Sequence, residues 1–184
     1  MKKLLLLFVM LLLTKLSFGQ IDPKDAVVLQ GEIKSDMTLE STKAYLLKGF
    51  VYVKNNATLT IQPGTVIMGD YSTHGTLIIT RTGKINAVGT AAHPIIFTSM
   101  QPAGSRQGGD WGGVVLLGSS PANGGTDMVY EGDILANPND PNDAKFGGTD
   151  VHASSGKMSY CRIEFAGYPV KTDQEINGLT FGGV

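Results

Sequence analysis

The chain is poor in the residues that usually announce a chemistry. It has one cysteine, Cys161, in 184 residues. A single thiol forms no disulfide within the chain, so burial and hydrogen bonding must hold the fold. Its three histidines, His74, His93 and His152, all lie in turn-like text. None is spaced from a His, Cys or carboxylate as zinc ligands are, so they read as solvated loop residues. Net charge is −1. With neither sign in excess, nothing draws the chain to nucleic acid or to an anionic membrane. After Leu13 no apolar run is long enough to span a bilayer. No apolar stripe at i, i+3, i+4 is long enough to be a helix.

What is present begins with an export signal. Met1-Lys2-Lys3 is basic, Leu4 to Leu13 is unbroken apolar text, and Ser17-Phe18-Gly19 is a small-x-small site. That pattern is a signal peptide over 1–19, cleaved near Gly19-Gln20, and its apolar run is too short for a membrane anchor. No cysteine follows the run at the position a lipoprotein signal needs, which argues against a lipid anchor. Cleavage leaves 165 residues, enough for one domain with a core. Glycine is abundant, with 24 residues, and charge is modest, which indicates many tight turns between buried strands.

The remaining text repeats. Leu77-Ile78-Ile79 follows Val51-Tyr52-Val53 by 26 positions, and Ile85 and Ala87 follow Leu59 and Ile61 by the same interval. Gly89-Thr90 follows Gly64-Thr65 by 25, and Ile95-Ile96-Phe97 follows Val66-Ile67-Met68 by 29. Strands hold register while corners absorb length, which is the mark of a solenoid whose coils bury one another. Pro63-Gly64, Thr82-Gly83 and Val88-Gly89 are the corners; proline cannot donate to a ladder and glycine tolerates tight turns. Leu59/Ile61 and Ile85/Ala87 alternate with polar residues, so one side of each strand faces a core. Three short strands per coil fit a single-stranded, all-β parallel β-helix. A β-sandwich would not need this register, and a propeller blade has a longer period.

FVYVKNNATLTIQPGTVIMG, GTLIITRTGKINAVGT, PIIFTS, GDWGGVVLLG, YCRIEFAG and NGLTFGGV carry a resemblance to secreted bacterial right-handed parallel β-helix proteins. It covers Val27 to Val184 and implies a right-handed, pectate-lyase-like coil. Members are often longer, with a C-terminal surface-sorting domain that is not visible here. The resemblance implies export and fold, and little about activity.

The expected division is a signal peptide over 1–19, an N-terminal cap with an incomplete first coil over 20–48, and coils over 49–184. Within these, 119–156 reads as a patternless loop thrown out from one corner, and such a long loop is usually functional or mobile. The text after Leu179-Thr180-Phe181 stops in mid-coil, so truncation at the C-terminus is expected.

The candidate site residues are few. Arg162 and Glu164 point outward from one strand and are weak catalytic candidates. A glycosidase needs two carboxyls at a set gap, so a neighbouring coil would have to supply the second; a solvated ion pair is the plainer reading. Trp111 is a weak ligand-binding candidate that would stack on a sugar if exposed and serve as packing if inward. Asp127, Glu131, Asp133, Asp140, Asp143 and Asp150 make an oxygen-rich loop. Asp140 and Asp143 are the weak calcium candidates, although the spacing is not that of an EF-hand. Cys161, Ile163 and Phe165 share parity and are expected to face inward. Asn56-Ala57-Thr58 is a sequon by pattern and a corner by chemistry.

No catalytic signature emerges. The expectation is an exported or cell-surface β-solenoid that binds a polymer such as polysaccharide without cleaving it. A polysaccharide lyase or glycoside hydrolase of the same fold is the alternative, and a structural spacer is the third.

Overall fold

The computed structural model describes residues 22–130 and 135–184. The signal peptide expected over 1–19, and Glu131 and Asp133 of the oxygen-rich loop, lie outside the described residues. The fold is a right-handed parallel β-helix with three faces. Among the described residues, no helix is long and apolar enough to cross a membrane.

Coils follow one another in chain order. The first has β1 (Val27–Ile33) and β2 (Met37–Leu39), and the second has β3 (Ala44–Val53) and β4 (Thr58–Ile61). The third has β5 (Val66–Gly69), β6 (Thr76–Ile79) and β7 (Lys84–Val88). The fourth has β8 (Ile95–Ser99), β9 (Gly113–Leu117) and β12 (Gly156–Ser159), with β10 (Met128–Val129) and β11 (Lys145–Phe146) between the last two. The fifth opens with β13 (Cys161–Ile163) and reaches β16 (Leu179–Gly182) after a hairpin of β14 (Pro169–Lys171) and β15 (Gln174–Glu175).

β1 and β3 each run across two faces. The first half of β3 pairs with β5 and the second half with β6, all in parallel. The first face therefore stacks β3, β5, β8 and β13; the second stacks β3, β6, β9 and β16. The third face stacks β2, β4, β7 and β12. Contrary to the boundary expected at 48/49, β1 and β2 already supply all three faces, and residue 49 falls inside β3.

The 26-residue interval is the real register on two faces. Val51 pairs with Leu77, Leu59 with Ile85 and Ile61 with Ala87. The 29-residue interval is one short, because Val66 pairs with Ile96 and Ile67 with Phe97. Inside the coils, Leu47, Val53, Leu59, Leu77, Ile79, Ile85 and Phe97 are fully buried in one continuous core. At about 25 cal/mol per Å² of apolar surface, each such side chain contributes roughly 1.5–3 kcal/mol. Corners are tight enough to need glycine: a Cβ on Gly83 would lie 2.0 Å from the Val53 carbonyl oxygen of the coil before. Asn55 and Asn56 turn another corner with φ of 58° and 60°, a backbone region asparagine tolerates.

The stretch 119–156 differs from expectation. It begins after β9, ends where β12 begins, and folds back as a cover rather than standing out as a loop. Tyr130, Leu135 and Ala144, with Phe146 beside them, pack on Tyr52, Ile78, Val115 and Leu117. Val170 and Ile176 from the β14–β15 segment join the same cluster. Along β3, β6 and β9 the second face is thus buried on both sides, a small outer core added to the inner one.

Candidate functional site

The covering segment is pinned at two places to the corner between the second and third faces. At one place the Lys54 ammonium lies among carboxylates. Its Nζ is 2.6 Å from Asp143 Oδ2, 3.0 Å from Asp140 Oδ2 and 3.8 Å from Glu32 Oε1. Asn137 Nδ2 donates to Glu32 Oε1 at 2.8 Å and to Asp143 Oδ2 at 2.7 Å. Lys54, Asn137 and Asp143 are all buried. Burial alone pulls the Lys54 ammonium down, but its hydrogen bonds to Asp143 and Asp140 together outweigh it and hold the group above the ordinary lysine value. Asp140 is held below the usual carboxylate range by Lys54 and by the Asn142 N–H. Glu32 is lowered by hydrogen bonds from Lys34 and Asn137. The Tyr52 hydroxyl donates to the Leu135 carbonyl at 3.1 Å, and burial raises that phenol well above its usual value.

At the other place Arg81 Nη1 donates to Asp127 at 2.6 Å and to the Gly147 carbonyl at 3.2 Å. Between cover and corner runs a polar trough. One part, about 210 Å³, is lined by Arg81, Lys84, Ser119, Asp150, His152 and Ser154 among others. A second part, about 140 Å³, lies between Lys54, Asn55, Thr82 and Asn142 and shares Arg81 with the first.

The sequence candidates fall as follows. Asp140 and Asp143 do come together, but around Lys54; the ammonium stands where the calcium reading places a cation. Trp111 is fully buried in the inner core and offers no face to a sugar. Its Nε1–H donates to the Glu164 carbonyl at 2.8 Å, and the ring fills the place a Cβ on Gly69 would take. Arg162 and Glu164 pair with each other on the first face. Glu164 also accepts from Thr98 Oγ1 at 3.3 Å, and Arg106 reaches the same hydroxyl at 3.4 Å. The column stacked beside Glu164 continues through Thr98, Met68 and Leu46, so that column holds no second carboxylate. A second carboxyl for a glycosidase arrangement would have to come from outside that column.

Cys161 and Ile163 pack against the inner core, but Phe165 does not. Its φ is 60°, so the chain turns there and the ring is exposed. Burial raises the Cys161 thiol above its ordinary value, which suits filler rather than a nucleophile. His74 is not a freely solvated loop residue. It stacks on Tyr168 with ring centroids 3.4 Å apart, and burial lowers its pKa.

The trough itself was missed by sequence reasoning. Lys54 and Asp143 are 89 positions apart, beyond any spacing rule. Neither curated proteins nor solved structures gave a match to the chain. A family profile, described as a pectate-lyase-like β-helix domain, matches residues 31–184 and ties the chain to carbohydrate-related β-helices. Together with the three-faced parallel coil, that match makes the chain a member of the pectate-lyase-like β-helix domain family.

Proposed function

We propose that the protein is exported and binds a polysaccharide, without cleaving it, along the trough between the covering segment and the coil corner. One observation carries this reading: two hollows lined by polar side chains lie along the same corner and share Arg81 as a wall. The strip mixes hydroxyls, amides and both signs of charge, which suits a hydroxylated chain better than an apolar ligand. A solenoid presents such a strip in register with a repeating polymer. Lys84 is exposed and makes no ion pair among the described residues, so it is free to meet a ligand. The enzyme alternative has weaker support, since Glu164 is already engaged by Arg162 and Thr98.

The test is retention of the exported protein on a panel of neutral and acidic polysaccharides, with assay of reducing and unsaturated ends. Retention without new chain ends is expected, weakened about tenfold in Kd by Lys84→Ala with His152→Ala. Release of chain ends that Glu164→Gln abolishes would replace this reading with the enzymatic one.

A further inference from the structure

A second hollow lies on the other flank of the covering segment. The ribbon is bent there. Gln30 pairs with Lys48, but Gly31 pairs with Val51, so β3 carries two extra residues, Gly49 and Phe50. Gly31 and Gly49 take φ of 73° and 62° to make the bend. Bulges of this kind re-aim a side chain. Here the bend brings Phe50 to the outer side, edge-on to Tyr52 with ring centroids 6.3 Å apart. The Asn137–Asn139 turn crosses nearby, fixed by Asn137 on Glu32 and by the Asn139 N–H on Asn137 Oδ1 at 3.0 Å. A cavity of about 260 Å³ is left between bend and turn.

Its lining is of two kinds. Phe50 and Pro138 give an apolar floor, while Gln30, Lys48 and Asn139 stand at the rim. The three rim side chains are exposed, and among the described residues none is engaged in an ion pair or side-chain hydrogen bond. Two amides and an ammonium therefore line the same hollow as an aromatic ring, with their hydrogen-bonding capacity unspent. Each amide both donates and accepts, as neighbouring hydroxyls require, and an aromatic ring suits the C–H face of a sugar. An aliphatic ligand would leave the rim unused, and a small anion would gain nothing from the floor.

We infer that this hollow is a subsite for a single neutral pyranose ring, seated on Phe50 and held at its hydroxyls by Gln30, Lys48 and Asn139. The inference builds on the carbohydrate-binding reading but uses none of the trough residues, so the two fail separately.

The test is saturation-transfer NMR on the exported protein with methyl glycosides of glucose, galactose and mannose as probes. Transfer to the ring protons of at least one glycoside is expected. Gln30→Ala with Asn139→Ala removes only exposed side chains, and should weaken that binding about tenfold, as should Phe50→Leu. Lys84→Ala with His152→Ala should leave it unchanged. No transfer from any of the three glycosides overturns the inference. So does transfer that persists at wild-type strength in both the rim and the Phe50 variants. Glycoside binding that survives while polymer retention is absent sinks the trough reading alone.

Discussion

The second and third faces of the coil are built from strands of similar length, yet they read differently. On β7, Ile85 and Ala87 face the core while Lys84, Asn86 and Val88 face water. On β6 and β9 every residue is buried. Alternation is the signature of a strand with one wet side, and an unbroken apolar run that of a strand covered on both. Leu77-Ile78-Ile79 and Val114 to Leu117 thus announce that something lies over the second face. That something is the segment 119–156, with the β14–β15 hairpin beside it.

The largest expected effect falls on the pin that holds the cover. Lys54→Ala leaves the buried Asp143 without its cation, beside Asp140 and Glu32. Removing one partner of a buried ion cluster costs on the order of 3–5 kcal/mol, read as a lower urea midpoint. Next comes a matched pair of substitutions at outward positions of the two faces. Ile78→Ala on the covered face should cost about 3 kcal/mol, while Asn86→Ala on the wet face should stay within about 0.5 kcal/mol. Equal effects would erase the distinction between the faces. Tyr52→Phe removes only the hydroxyl that reaches Leu135, and should cost about 1 kcal/mol.

The mildest probe is acid. Asp140 and Glu32 have lowered pKa values in the folded state, so their contribution is present above the unfolded carboxylate pKa of about 4. It is lost as pH falls through the lowered folded values. Hydrogen exchange of the cover should accelerate in that window before exchange of the inner core, and the difference should shrink in Lys54→Ala, which removes the cause of the Asp140 shift.

The inner coil was largely legible because period-two text with glycine corners allows few alternatives. Where that text is ambiguous, the reading slipped. Ile95-Ile96-Phe97 has three apolar residues in a row, so alternation cannot select a phase, and the true partner of Val66 is one residue further on. Phe165 has the parity of an inward residue, but parity holds only while the backbone stays extended, and it stops at a φ of 60°. The cover was illegible for a different reason. Tyr130, Leu135, Ala144 and Phe146 come from turns, a short 3-10 helix and very short strands, so no period links them. Its polar pins join residues far apart in sequence, such as Arg81 with Asp127, which only the folded coil brings together. The clue that was available lay in the face being covered, where Val114 to Leu117 refuses to alternate.

Thiol labelling tests the cover most directly. In a Cys161→Ser background, single cysteines are introduced as Ile78→Cys and Asn86→Cys, and their reaction with a water-soluble disulfide reagent is followed under native conditions. The outer side of the second face is closed, so Ile78→Cys should react only as fast as the cover opens, while Asn86→Cys reacts at the rate of a free thiol. Equal, immediate labelling at both positions would show that nothing shields the second face.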